Sequence, residues 1–532
     1  MIQPDRRLSP RITLLLLAAL SELVYLFVFT LPFPLASLFQ TIPPVDYAKL
    51  TGHSPGGVVA YLGGVAVLFG LYGWGIRLVS PGQRDREYQA KNLDGKRGIL
   101  PPPRPPAGGR VFQSSPPAGG TKGGRNPRQP APLILLPALV FALTLIFAYP
   151  ALAIDLFIYA IRTRGWALYG LNPLSTPPEA LPPGDPWLGL AGEWVDAASP
   201  YGPAWEWLSR LTWQAAGGDF LAHLFGLKLI AVLAYLGCAG LIFLILGQLN
   251  PAWRGAGTLA FAWNPLVLLE TAQNGHNDIV MVFALLAAVW AALGPGARRW
   301  GTAPLLALSI LVKFVTVLAA PFLLLYLAWG EKRRPRRIAP VLAHGVVLVL
   351  LVVLPLLPYW PGLERWAVLE AGRGAGRSLL ALLVLALRGL LGVNRAFDAA
   401  RLILLGGFGL IYLGLLGRLW RGPRLQTALL AAVWAGFFWY VLLAAPVFHG
   451  WYLLWSLPLA ALLLPQARPL QATVVFSLTA LLAVQYFETV RAAYFPVLLH
   501  NQLLGHLIGV PLLVLPPALV ALGRWRWVCP ES

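Results

Sequence analysis

Six consecutive residues, Gln273-Asn274-Gly275-His276-Asn277-Asp278, place five hydrogen-bonding side chains between two strongly apolar stretches. Capping the next helix would occupy Asp278 alone and leave His276 and Asn277 without a purpose, so a ligand-binding role is expected for His276, Asn277 and Asp278. A second candidate is Asp155, in Ala153-Ile154-Asp155-Leu156-Phe157-Ile158-Tyr159, directly after an apolar run. A carboxylate at that boundary meets lipid head groups and water alike; a plain helix cap is the competing reading. The third is a loop pair, Tyr169-Gly170-Leu171-Asn172-Pro173 and Ser199-Pro200-Tyr201-Gly202-Pro203. Its Gly and Pro residues form turns, while Asn172, Tyr201 and nearby tryptophans offer polar groups and aromatic faces of the kind that pack on sugar rings. The fourth is a set of cations, Lys313 with Arg373, Arg377 and His449. A lipid phosphate would supply the anion they need; for Lys313, snorkelling or pairing with backbone carbonyls is the alternative.

The elements that must position these groups are membrane spans. Of the 532 residues 58% are hydrophobic and 12% charged, about half the charged share of a soluble domain. Runs of about 20 apolar residues, enough for a transmembrane helix, recur from Ile12 to Leu522. The net charge of +20 reads as topology, because cytoplasmic loops collect Lys and Arg; no nucleic-acid partner is expected. Cys238 and Cys529 make a structural disulfide unexpected, and no Cys/His cluster has zinc spacing.

Arg6, Arg7 and Arg11 put the N-terminus in the cytoplasm. Spans are expected at about 11–36, 57–79 and 132–153. Between the last two, residues 81–131 hold ten Pro, nine Gly and ten Lys or Arg, a composition that buries too little apolar surface to fold; a disordered basic cytoplasmic linker is expected. Residues 155–219 reverse that polarity, with seven carboxylates against three arginines, and are read as an outer segment of interfacial helices. Later spans are expected near 220–247, 257–270, 278–294, 338–357, 399–417, 425–444, 451–465, 470–487 and 507–523, with 378–392 interfacial or re-entrant. Arg298 and Arg299 precede, and Lys332 to Arg337 follow, one apolar stretch at 302–329. Two cytoplasmic clusters require that stretch to reverse near Lys313–Thr316. The expected fold is an all-α polytopic membrane protein of about fourteen transmembrane helices, both termini cytoplasmic. Its divisions are 1–80, 81–131, a core at 132–465 and a C-terminal set at 466–532.

The ordered series Asp155…Tyr159…Gly170-Leu171-Asn172-Pro173…Ser199-Pro200-Tyr201-Gly202-Pro203, Trp263-Asn264-Pro265, Asn274-Gly275-His276-Asn277-Asp278, Lys313 and Trp451-Tyr452…Trp455…Pro458 resembles the bacterial polyprenol-phosphate-mannose-dependent α-1,6-mannosyltransferases. These are membrane glycosyltransferases of the GT-C class. The resemblance implies a GT-C-like bundle and a polyprenyl-phosphate sugar donor held among membrane lipids. It also implies a glycan or lipid acceptor, with Asp155 as catalytic base. Tyr159, Asn172, Tyr201, His276, Asn277, Asp278, Lys313, Arg373, Arg377, His449, Trp451 and Tyr452 become the expected substrate-binding set. No spacing demands a metal, although Asp155, Asp196 and Asp278 carry oxygens a divalent cation would accept. No phosphate-cradling Gly-rich motif is present. A polar-lipid flippase or transporter, and a ligase or polymerase moving an oligosaccharide from a diphosphate carrier, remain the alternatives; a transporter would string its ionisable groups through several spans.

Overall fold

The computed structural model describes residues 9–82, 131–328, 338–360, 362, 374–422 and 425–523. Nearly all of the expected linker at 81–131, together with Arg373, Lys332 to Arg337 and Cys529, lies outside them. Among the described residues the secondary structure is helical, with two isolated bridges, Pro34 to Ala148 and Gly376 to Val447, in place of any strand.

The chain opens with α1 (Pro10–Thr30) and α2 (Pro55–Val79). Each begins with a serine cap and a proline in the first turn, Ser9-Pro10 and Ser54-Pro55, the pairing that satisfies free N–H groups and pre-sets φ. The third span is shorter than expected: α3 (Pro132–Leu145) contains Pro137 and stops at 14 residues. A strap, 146–154, then leads into α4 (Asp155–Tyr169), ended by Gly170 at φ 69°, a left-handed stop natural to glycine. After loops and short 3-10 turns come α5 (Pro203–Ala215) and α6 (Phe220–Leu249), the latter capped by Asp219.

The centre of the molecule is α7 (Arg254–Ala262), α8 (Pro265–Gln273) and α9 (Asp278–Ala292). Asn264 caps α8 by accepting from the N–H groups of Leu266 and Val267. The last five residues of α8 form a π-turn, and α8 and α9 meet at 117°. Residues 273–278, the polar stretch between two apolar runs, form this bend, and all but the Cβ-less Gly275 have side chains at 0% exposure. Polar groups there escape the hydrocarbon by facing protein, the condition under which irregular backbone survives at depth.

Next come α10 (Thr302–Val312) and α11 (Ala320–Leu327), separated by extended Lys313 and a 3-10 turn at Phe314–Ala319. The expected reversal is present. Trp300, before α10, stacks at 4.6 Å on His344, which belongs to α12 (Ile338–Leu356), and the Arg299 charge reaches Tyr326 of α11. Both arms therefore have their far ends on one side, with Lys313 at the other. The legs pack on α9 and α12 rather than on each other.

The chain closes with α13 (Leu379–Leu391), α14 (Val393–Arg421), α15 (Gln426–Ala444), a 3-10 turn at Gly450–Trp455, α16 (Leu457–Leu462), α17 (Ala467–Tyr494) and α18 (Gln502–Ala521). Where a span was expected at 451–465, that turn and the six-residue α16 lie in the core. Eight described helices are long and apolar enough to cross a membrane, nine if α8 and α9 count as one broken span, and four shorter apolar helices accompany them. The molecule is thus a polytopic helical membrane protein. Both flanks pack on the centre: Tyr72 of α2 donates to the Ala260 carbonyl at 2.6 Å, and α17 packs on α16.

Candidate active site

Asp155 is the first residue of α4, and its side chain caps nothing; Ile154 holds the cap position. Its half-buried carboxylate accepts from the Tyr201 hydroxyl at 3.1 Å. Among the described residues it forms no ion pair. The strap before it is fixed by Lys228 of α6, fully buried, whose ammonium donates to the carbonyls of Ile146 at 3.0 Å and of Ala148.

Tyr201 is placed by its neighbours in Ser199-Pro200-Tyr201-Gly202-Pro203. The Gly202 N–H donates to the Val312 carbonyl at 3.1 Å, and a Cβ at 202 would stand 2.0 Å from the Leu311 carbonyl oxygen. Only glycine lets the loop lie on the end of α10. Behind the loop, Arg162 donates to the carbonyls of Ala197 and Ala198 at 2.9 and 3.1 Å, and the Ser199 hydroxyl donates to Glu206 at 2.5 Å. Burial pushes the Glu206 carboxyl above its usual range, with Ser199 and Arg162 opposing the shift. Tyr159 packs edge-on against Tyr201 and Trp205, at 5.2 and 5.0 Å, and its hydroxyl donates to Asn277 at 3.4 Å.

Lys313 meets Asp278 across the break in the α10–α11 hairpin. Its Nζ lies 2.9 and 2.8 Å from the two carboxylate oxygens, and the Trp455 indole N–H donates to Oδ1 at 2.6 Å. Asp278 is thus fully engaged without capping α9. The same ammonium faces the rings of Tyr201, Tyr452 and Trp455 at 5.4, 5.5 and 5.8 Å, a cation–π environment.

A second group adjoins the first. His276 Nε2 is 3.2 Å from Glu270 Oε2, and the rings of His276 and His449 stack on Trp451 at 4.0 and 4.1 Å. Arg377 pairs with Glu488. Glu270, Arg377, His449 and Trp451 line one cleft, together with Leu152 from the strap before Asp155.

The structure therefore gathers Asp155, Tyr159, Tyr201, Asn277, Asp278, Lys313 and Tyr452 in one cluster and His276, Trp451, His449 and Arg377 beside it. Asn172 stands apart, its side chain spent on the Leu174 N–H and the Tyr359 carbonyl. Arg373 lies outside the described residues. Among the described residues no three His, Cys, Asp or Glu side chains converge as a metal set. Sequence reasoning missed Glu270, Lys228, Arg162 and Glu206. A lone charge inside an apolar run was the available signal for Glu270 and Lys228.

A helical membrane bundle with a buried carboxylate and cation cluster at the meeting of broken helices is the class of protein that fold and site define. Residues 122–329 match the family described as alpha-(1->6)-mannopyranosyltransferase, N-terminal domain, of the MptA_B family. That segment contains Asp155, Tyr201, Asp278 and Lys313, and over it the resemblance read from the motifs holds. Alpha-(1->6)-mannopyranosyltransferase A of Corynebacterium glutamicum is 26% identical over 185 residues, 34% of this chain. The chain thus spans about a third, 35%, of the length of that curated relative. Two crystal structures of ArnT from Cupriavidus metallidurans also align. The apo form has 13% identity and a TM-score of 0.36 over 69% of this chain and 73% of that one. The form bound to undecaprenyl phosphate has 14% and 0.38 over 74% and 79%.

Proposed function

We propose that the chain is a membrane glycosyltransferase that moves a hexose, mannose by its family resemblance, from a polyprenyl-phosphate carrier to a glycan or lipid acceptor on the non-cytoplasmic face. One observation carries this reading: the Asp155 carboxylate, free of any capping duty and held among the described residues by Tyr201, stands beside the cation and aromatic cluster of Lys313, Tyr452 and Trp455. The reaction is a displacement. An acceptor hydroxyl oxygen bonds to the anomeric carbon, the bond from that carbon to the phosphate oxygen breaks, and its electron pair leaves with the lipid phosphate. Asp155 takes the hydroxyl proton, general-base help typically worth about 10²–10⁴-fold. Arg377 and His449 line the cleft that would receive the phosphate, and donors held in place beforehand stabilise a leaving anion without reorganising. The acidic balance of 155–219 against the basic 81–131 supports the outward placement of the site.

The test is to incubate membranes overproducing the chain with radiolabelled mannosyl- and glucosyl-phosphate polyprenols and to analyse the products. Label should pass from the mannosyl donor to a polar product. Transfer only from a diphosphate oligosaccharide lipid would select the ligase, and lipid movement without transfer would select the flippase.

A further inference from the structure

Glu270 follows the apolar run Leu266-Val267-Leu268-Leu269 and is 2% exposed. It sits on a π-turn, a distortion that recurs at functional sites. The displacement described above makes no use of it. Its carboxylate is nevertheless aimed. Oε2 accepts from Asn274 Nδ2 at 2.8 Å and lies 3.2 Å from His276 Nε2. Oε1 is turned toward Gly450, where even a methyl carbon would come within 2.7 Å of it. The cleft it lines has Arg377 and His449 as its basic groups and an apolar wall that includes Ala480, Val484 and Leu513.

We infer that Glu270 is the group that recognises the hydroxyls of the sugar on the lipid phosphate, with Gly450 conserving the space its outer oxygen needs. This rests on the donor reading above. Carboxyl oxygens accept hydrogen bonds, and with Oε2 engaged by Asn274 and His276, Oε1 is the oxygen that suits a hexose ring whose hydroxyls donate. The Trp451 ring already stacks with His276 and His449, so sugar recognition falls on the carboxylate rather than on the indole face. The cleft then has a matching part for each portion of the ligand: arginine and histidine for phosphate, Glu270 for hydroxyls, α17 and α18 side chains for hydrocarbon.

The experiment is equilibrium binding to the full chain in lipid nanodiscs, comparing a radiolabelled short-chain polyprenyl-phosphate mannose with the same polyprenyl phosphate lacking sugar. Glu270→Gln should weaken binding of the sugar-bearing lipid about tenfold or more, the scale of a lost hydrogen bond to a charged group, and leave the bare lipid unchanged. Gly450→Ala keeps the carboxylate but crowds Oε1, and should reproduce the selective loss. Equal weakening of both lipids would make Glu270 a strut for His276 and overturn the inference, as would no change in either. A wild-type chain that binds neither lipid would bring down the donor reading and this one together.

Discussion

Lys313 and Asp278 are joined through both carboxylate oxygens, at 2.9 and 2.8 Å, with the aspartate side chain wholly buried and the lysine 16% exposed. Removing one partner strands the other, which in buried pairs costs about 3–5 kcal/mol. Lys313→Met should therefore lower the melting temperature in detergent markedly. Adding Asp278→Asn, which keeps an oxygen for the Trp455 indole N–H, should recover most of that loss. A double variant as unstable as the single would mean that the pair does not carry the stability of the α10–α11 break.

Asp155→Asn separates base from scaffold. The amide oxygen can still accept from Tyr201, and no cap is lost because the carboxylate makes none. Transfer should fall by about 10²-fold or more with melting behaviour close to wild type. Substantial activity in a well-folded variant would shift the role to another carboxylate.

Tyr201→Phe removes the hydroxyl that donates to Asp155 while keeping the ring beside Tyr159 and Lys313. The net value of one such bond to a charged group, about 1.5–3 kcal/mol, predicts a loss of about tenfold or more. It should appear in kcat rather than KM, since the hydroxyl positions the base. An unchanged kcat would show that Asp155 needs no such support.

Orientation is open to direct labelling. Ala180 lies in the acidic segment and Ala297 beside Arg298 and Arg299, both exposed. With Cys238 and Cys529 replaced, a membrane-impermeant thiol reagent on intact cells should label Ala180→Cys and spare Ala297→Cys. The reverse pattern would turn the site toward the cytoplasm.

Much of this architecture could be read from composition and spacing because long apolar runs and basic clusters report the membrane directly. The reversal at Lys313 followed from two basic clusters around one apolar stretch. Tyr201 was legible through the Gly and Pro beside it, although the reason for Gly202, the Leu311 carbonyl, is a contact between segments over a hundred residues apart and leaves no local trace. The burial of 273–278 was missed because a polar hexapeptide between apolar runs looks like an exposed loop until neighbouring helices enclose it. Asn172 is a polar group in a Gly/Pro-shaped loop, which suggests a place beside Tyr201, but its side chain bonds within its own turn and to Tyr359. Glu270 and Lys228 leave a fainter trace in the sequence than a polar cluster does, because each is a single charge whose partners are distant carbonyls or a following turn.

The lysine that fastens the strap ahead of Asp155 also links two helices through the route by which they enter the bilayer. α3 alone would present the carbonyls of its last turn and strap to hydrocarbon, where unpaired backbone groups are costly. α6 alone would carry a bare ammonium at depth. Lys228 answers both needs at once, its ammonium meeting the carbonyls of Leu145, Ile146 and Ala148. Loss of the Lys228 ammonium would therefore leave the carbonyls of Leu145, Ile146 and Ala148 without this donor and unfasten the strap that carries Asp155 to its place.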